Sequence, residues 1–554
     1  MVLILVQALG AFAQSSAPDR MPAYPLFGFV GGLKDQSITI SGDKIANPEE
    51  ISHYQFLYSS PNQALEAVRQ ARDANHYKTI VPVYMGGYTT NAGGATEVEQ
   101  NYIDAVAMTD VSTLAASVDA SATQIKVALP KQGELPIVAS TAENADPKNF
   151  KEYVFWVQID QERMKVTALD KTSGALTVER GFKSSPAAHE ANAVVLTPVY
   201  LGKKTDTQAV RHTNSWPGAR DYLRYALNPA ADAMQQYKAN VIIDLMKKGF
   251  DGAWLDTYQV GTYNLCNAVG EPIQRYWNFE TNSRYTGQTQ EKAMEAMLRS
   301  IREKVKSAVG REPVLYANSC TGTYRTGAKL LFNSPERTGL LDGYCFEDSY
   351  IHPSFEVSGV KKFSAAFTPI TGNRWATTVT DQADAARSHL NALCMVGPAG
   401  YVANYIVPDL TNYEALMRYS YCSFLLTVTP EKTTTFGLPF VFQQKDQKAR
   451  ILPAPAIVYY PIGDPVEDKP LEQMQMPGTT CYARKFSNGM VIVNAGTVTA
   501  ATAPTSKGNA KTQAKAKEKS AMVTIPEGYV APDGKPLGTQ VELAVGDALL
   551  LLNK

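Results

Sequence analysis

Two short segments of this 554-residue chain carry carboxylates on a matching frame. One reads Asp251-Gly252-Ala253-Trp254-Leu255-Asp256, the other Asp342-Gly343-Tyr344-Cys345-Phe346-Glu347. Each is an Asp-Gly pair, three apolar residues, and an acid. The Asp-Gly pair suits a turn entering a strand. Five steps at ~3.3 Å per residue then span roughly 16 Å, the height of a barrel wall. The final acid lands at the C-terminal end of its strand, the face on which barrel active sites are built. Two carboxylates at one rim can divide the labour of glycosidic hydrolysis, one protonating the leaving oxygen and the other attacking or activating water. The competing role is structural, because an Asp just past a strand often caps the next helix. Asp348 follows Glu347 directly, and alternation along a strand places only one of the two inward. The second role therefore rests with Glu347 or Asp348.

Softer substrate-binding candidates surround these acids. Asn318 ends the apolar run PVLYAN, and Tyr84 and Tyr88 flank Gly86-Gly87. His212 and Trp216 lie in RHTNSWPG, and Tyr258, Tyr350, His352, Trp375 and Tyr405 follow predicted strands. Singly, each is as readily a core or turn residue. Together, an aromatic mouth suits the faces of sugar rings better than a small anion. The six histidines form no H-x-x-x-H or H-x-H pair, so no zinc site and no metal-dependent deacetylase is expected. No Gly-rich phosphate loop and no G-x-S-x-G elbow occurs. The expected mechanism needs no cofactor.

Elements that would position the acids follow from hydrophobic periodicity. Strand and helix patterns alternate from Pro25: Leu26–Gly31, Tyr54–Tyr58, a helix over Ala64–Ala74, and Thr79–Met85. From about residue 109 to 198 only β patterns occur, including Ala122–Val127, Tyr153–Ile159, Arg163–Thr167 and Ala175–Glu179. So long a loop without structure of its own would be implausible, and an inserted all-β module is the better reading. The α/β rhythm then resumes: a helix over Asp232–Lys248, a long amphipathic helix over Gln290–Val309, strands at Pro313–Asn318 and Leu341–Glu347, a helix over Ala383–Met395, a strand at Gly400–Ala403, and a helix over Tyr413–Leu426 before a Thr- and Pro-rich loop. That rhythm fits a (β/α)8 TIM barrel. A doubly wound open sheet is the alternative, without its G-x-G-x-x-G fingerprint. Beyond about residue 437 strands are expected at Ala456–Tyr460, Cys481–Phe486, Met490–Asn494, Ala521–Ile525, Gln540–Val545 and Ala548–Leu552, a C-terminal β-sandwich. Thr497–Ser520, rich in Ala, Thr and Lys, reads as a flexible loop.

The expected division is a leader over 1–13, the barrel over 22–107 and 200–436, the inserted module over 108–199, and the sandwich over 437–554. Met1–Gly10 is a short apolar run followed by Ala11-Phe12-Ala13, a pattern of export and cleavage that implies a secreted or periplasmic protein. Lys+Arg and Asp+Glu are each 53, so the net charge is zero. Nothing in that balance calls for nucleic acid or an anionic membrane. No segment approaches the ~18 apolar residues of a membrane span. The six cysteines are scattered, leaving free thiols and one or two bridges both open. Oligomeric state leaves no trace in the sequence.

The succession GFDGAWLDTY, PVLYANS and LLDGYCFEDSY resembles a large group of (β/α)8-barrel glycoside hydrolases of unassigned substrate. In them a GFDGxxxD strand is followed by one ending in Asn and one ending in Glu. Tyr482–Asn494 (YARKFSNGMVIVN) resembles the R-x-F-x-N-G-x-V-x-V-N strand pair of the sandwich that follows such barrels. The resemblance implies a glycosidase acting on a poly- or oligosaccharide. With Asn318 on strand five, Asp256 ends strand four and Glu347 strand six. That layout resembles retaining α-galactosidase-type barrels and implies Asp256 as nucleophile and Glu347 as acid/base. The module's Ile159–Thr167 (IDQERMKVT) and Val178–Gly181 (VERG) resemble small accessory β-modules of phage-like and extracellular proteins, which implies no chemistry. A non-catalytic carbohydrate-binding barrel is the alternative function, because barrels host many activities.

Overall fold

The computed structural model describes residues 22–24, 26–30, 40–41, 44–45, 54–59, 82–86, 95–140, 154–201, 224–256, 265–273, 275–320, 339–347, 349–354, 366–388, 391–395, 413–431, 434–437, 440–443, 448–451, 455–499 and 520–554. It falls into two compact units, Met1–Tyr84 with Leu245–Asp256 and Val314–Lys554, and Met85–Asp244 with Thr257–Pro313.

Eight strands form a closed barrel: β1 (Leu26–Val30), β2 (Tyr54–Ser59), β3 (Pro82–Gly86), β4 (Gly252–Asp256), β5 (Val314–Cys320), β6 (Gly343–Glu347), β7 (Asn391–Met395) and β8 (Thr434–Gly437). Each lies beside its neighbours in chain order, and β8 returns to pair in parallel with β1, Leu26 opposite Phe436. An all-parallel wall needs a crossover after every strand, which is why the strands recur between helical segments.

Two barrel strands depart from the sequence expectation. The seventh is Asn391–Met395, a run whose pattern predicts the end of a helix, and the helix before it is α3 (Gly372–Arg387). NALCM is largely apolar, and a short apolar run has no period to separate strand from helix. The expected strand at 400–403 lies outside the described residues. The eighth strand, TTFG, falls in the Thr-rich stretch expected to be loop. Its four residues are buried, so it lacks the alternation that marks a half-exposed strand.

Helices α1 (Asp232–Lys247), α2 (Gly287–Val309) and α4 (Tyr413–Leu425) match the apolar periods that predict them. In α2, Thr286 and Thr289 form a reciprocal capping box, and Gly310 ends the helix at φ 79°. The expected helix at 64–74 and the leader lie outside the described residues. No helix among the described residues is long and apolar enough to cross a membrane.

In the second unit, six antiparallel strands follow the order Met108–Thr113, Val194–Pro198, Trp156–Ile159, Glu162–Asp170, Ala175–Glu179, Gln124–Lys126. The sheet curls until its edges meet: Leu114 bridges Val127, and the Ala128 N–H donates to Thr113 O at 2.8 Å. Curling hides both edges and encloses an aliphatic core around Leu114, Ile125, Val157, Met164, Leu176 and Val195.

At the C-terminus, Cys481–Phe486, Gly489–Asn494, Asp547–Asn553 and Tyr529–Val530 form one sheet, and Ala521–Thr524 pairs with Gln540–Leu543 in another. Both line one core that includes Cys481, Ile492, Val523, Leu543 and Leu551. The expected strand at Ala456–Tyr460 is instead a 3-10 turn over Ala456–Tyr459. Pro455 and Pro461 bracket it, and two donorless residues make a poor ladder. Most of the expected loop at 497–520 lies outside the described residues.

Candidate active site

The matched frames correspond to whole strands. β4 and β6 each begin at the glycine and end at the acid, so Asp256 and Glu347 are the last residues of the fourth and sixth barrel strands. Asn318 lies within β5, between them.

The Asp-Gly pairs set where each strand starts. Gly252 has φ 153°, and a side chain there would meet Val314 O at 2.0 Å. Only glycine lets the backbones of β4 and β5 approach so closely. The Val314 N–H donates to Asp251 O at 2.8 Å. In the second frame, Asp342 is tied to β5 twice: its N–H donates to Leu315 O at 2.8 Å and its carboxylate accepts the Leu315 N–H at 2.7 Å. The leading Asp of this frame is thus a structural clamp that fixes the register of β6, leaving the trailing acid to the strand end.

Strand registers relate the levels of the wall. Trp254 pairs with Tyr316 and Tyr316 with Gly343; Asn318 pairs with Cys345, and Cys320 with Glu347. Alternation along each strand then places Trp254, Asp256, Tyr316, Asn318, Cys345 and Glu347 in one parity class. Trp254 and Tyr316, one step below Asp256 and Asn318, stack at 6.1 Å with their planes 9° apart, both almost fully buried. Their register partner on β6 is Gly343, which has no side chain to compete for the space. Sequence reasoning missed this aromatic layer, yet the matched frames contain its signal: Trp254 precedes Asp256 by two, as Tyr316 precedes Asn318.

The chain immediately after Glu347 is anchored. Ser349 Oγ donates to Phe346 O at 2.8 Å and receives the Gln382 amide at 2.8 Å. Tyr350 donates its hydroxyl to Gln382 Oε1. Ser349, Tyr350 and Gln382 are fully buried. Tyr350 is therefore a packing residue rather than a sugar-binding one, a correction to the sequence expectation. Trp375 requires the same correction. It lies within α3 and is fully buried, with Nε1 donating to Ser423 Oγ at 2.9 Å and its ring 4.9 Å from that of Tyr482. Aromatic residues near strand ends are used for packing as often as for binding, and sequence does not separate the two.

Tyr84, Asn318 and His352 lie in strands β3, β5 and Ile351–Ser354. Tyr88, His212, Trp216, Tyr258, Asp348 and Tyr405 lie outside the described residues. Cys266, Cys345, Cys422 and Cys481 are buried thiols outside any disulfide. Burial pushes the thiols of Cys266 and Cys481 up to about 12 and about 11, which removes them from nucleophilic chemistry. Among the described residues no group of His, Cys, Asp and Glu is placed to hold a metal.

The two other sequence motifs are structural. In the module, Glu162 is fully buried and accepts Arg180 Nε at 2.7 Å, Arg180 Nη2 at 2.6 Å, the Ala187 N–H at 2.9 Å and the Gly181 N–H at 3.1 Å. His189 spans Glu162 and Asp160 through its two ring nitrogens, at 2.9 and 2.8 Å. Burial alone would raise the Glu162 carboxyl, but these bonds outweigh it and hold it at about 2. In the C-terminal motif, Arg484 closes the end of α4, donating to Leu425 O, Leu426 O and Val428 O at 2.8 to 3.3 Å. A Cβ on Gly489 would meet Leu551 O at 2.2 Å, and Asn494 donates to Leu543 O at 2.8 Å.

No protein-family model matches the chain, and no curated protein matches it. Among solved structures, those similar to this chain include three at 9% identity. The glycoside hydrolase domain of PelA from Pseudomonas aeruginosa aligns over 77% of this chain and 99% of its own, with a TM-score of 0.33. Trehalose-6-phosphate hydrolase TreA from Bacillus licheniformis aligns over 96% and 99%, at 0.45. Amy13B from Eubacterium rectale aligns over 97% of each chain, at 0.42. At such scores these likenesses carry no argument about function, which must come from the strands and residues themselves.

Proposed function

We propose that this protein hydrolyses O-glycosidic bonds in a poly- or oligosaccharide, with Asp256 as nucleophile and Glu347 as general acid/base. One observation carries the reading. Across all eight barrel strands the only charged residues are Asp256 and Glu347, and each is the last residue of its strand. A barrel wall is built mainly of apolar side chains, and acids confined to two matched strand ends are residues that packing alone does not call for. They flank one intervening strand and share a parity class with Asn318, which suits an amide that orients a sugar hydroxyl.

The mechanism divides two carboxyl groups between one protonated and one ionised form. Glu347 would protonate the leaving oxygen while Asp256 attacks the anomeric carbon. Water, activated by the same Glu347, then releases the glycosyl group from Asp256. The buried Trp254–Tyr316 layer supports the level of the acids, and the Ser349–Gln382–Tyr350 bonds fix the chain that leaves β6. The export pattern at the N-terminus fits a polymer met outside the cytoplasm, and secretion is part of the proposal.

The test is a screen of purified protein against polysaccharides and aryl glycosides, with Glu347→Gln in parallel. Reducing sugar released by wild type and not by the variant supports the reading. No release, with retardation in a polysaccharide affinity gel, replaces it with a carbohydrate-binding barrel.

A further inference from the structure

We infer that the C-terminal sandwich has an accessory carbohydrate site, a gap in one sheet edge at Ala483 that takes two adjacent hydroxyls of a sugar unit. The inference goes beyond the glycosidase reading and does not draw on the barrel acids.

Cys481–Phe486 is an edge strand of its four-stranded sheet, paired on its inner side with Gly489–Asn494. A crossing segment covers its outer side at two points. The Val466 N–H donates to Lys485 O at 3.1 Å, and the Met476 N–H donates to Cys481 O at 2.8 Å. Cys481 and Lys485 thus face outward, and in an antiparallel ladder the direction of the backbone groups alternates along the strand. Ala483, midway between them, turns its N–H and C=O to the same outer side.

Between those two points the crossing segment leaves the edge. Glu467 turns its carbonyl to Arg484, accepting Nε at 3.3 Å and Nη2 at 3.1 Å, and Pro470 then opens a helical turn over Leu471–Met474. A helical turn satisfies its own backbone and cannot continue a ladder. Among the described residues no group pairs with the outward N–H and C=O of Ala483. Sheet edges are ordinarily covered or blunted along their length. This one is covered on either side and open over one residue.

The opening is a cleft lined by Glu467, Lys469, Gln473, Met474, Lys485 and Met490 beside Ala483. Met474 and Met490 are buried and give it an apolar base. Glu467, Gln473 and Lys485 are exposed, and Lys469 pairs with Glu467. These groups select the ligand. A donor and an acceptor side by side on one extended residue match two neighbouring hydroxyls, one accepting from the N–H and the other donating to the C=O. The apolar base suits the C–H face of the ring, and the polar side chains suit its remaining hydroxyls. An extended peptide that adds a strand needs a run of free edge groups, and the Val466 and Met476 bonds close the edge on both sides of the gap.

The test is calorimetric titration of the full chain with hexasaccharides of β-glucan, mannan, xylan and galactan, with permethylated cellohexaose, and with an alanine–serine hexapeptide. Ala483→Pro removes the outward N–H without breaking a ladder bond, and Gln473→Ala and Lys485→Ala trim exposed side chains. The expected result is a binding component for at least one hexasaccharide, weakened about tenfold by Ala483→Pro and about threefold by each side-chain variant, with no binding of the permethylated sugar. Should Ala483→Pro lower the melting temperature, the two exposed variants decide. Unchanged affinity in those variants, no binding of any hexasaccharide, or binding of the hexapeptide alone overturns the site. Aryl-glycoside release by wild type and Glu347→Gln is followed separately, so the failure of either reading leaves the other standing.

Discussion

The molecule holds two kinds of carboxylate, one fastened in a buried network and one at the end of a barrel strand. Glu162, in the inserted module, has a dedicated cation, two backbone donors and a histidine, and is sealed from solvent. Every lone pair it offers is committed to holding the 180–189 segment against its sheet. Asp256 and Glu347 end strands that contain no cation at all. A carboxylate built into a network with its own arginine is a fastener. The acids that end β4 and β6 are where the proposed chemistry is placed. Both lie in motifs equally conspicuous in the sequence, so the motif alone does not distinguish them.

The largest expected effect tests the rim. Asp256→Asn and Glu347→Gln should each lower kcat by about 10³-fold or more, with the melting temperature essentially unchanged. Wild-type-like turnover in either variant would remove that residue from the mechanism.

The module should respond the opposite way. Arg180→Ala leaves Glu162 buried without its cation, and should cost about 3–5 kcal/mol of local stability. Hydrogen exchange over residues 154–190 of the full chain would report it, while turnover at the rim stays within a few-fold. A large loss of activity with unchanged exchange would reverse the assignment of fastener and catalyst.

Arg484→Ala strands the last carbonyls of α4 and should lower stability by about 2–3 kcal/mol, read from the urea midpoint. No change in midpoint would show that water replaces the cap.

Acid gives a gentler probe of the same contrast. Glu162 is held below its ordinary value of 4.5, at about 2. A lowered acid stabilises the fold fully above its unfolded value, and that contribution is lost as pH falls through the folded one. The module's exchange protection should thus hold above pH 4.5 and decline toward pH 2, and Glu162→Gln should flatten that decline. The smallest effect is expected from Asp348→Asn, with kcat within about threefold of wild type. A loss as large as that of Glu347→Gln would move the second catalytic role to Asp348.

Much of the fold and of the site is legible in the sequence, for physical reasons that differ by region. β4 and β6 are readable because an Asp-Gly turn and a terminal acid bracket an apolar run. Ala175–Glu179 is readable because one of its faces meets a core and the other is more exposed. β7 escapes such reading because a short apolar run has no period, and β8 because all four of its residues are buried. Trp375 and Tyr350 mislead because burial depends on what arrives from distant parts of the chain: α4 and Tyr482 in one case, Gln382 in the other.

Residues within a few positions of one another dictate the local events. They settle which glycines admit a close backbone, where turns begin strands, which helices have an apolar stripe, and that two acids close matched frames. The folded chain adds what no such neighbourhood contains: Asp342 is committed to the register of β5 and β6, Glu162 is committed to Arg180 in the module, and Trp254 lies against Tyr316. Those facts join residues tens of positions apart in the chain. Register across a barrel is set by the closure of all eight strands together, and no single segment contains it.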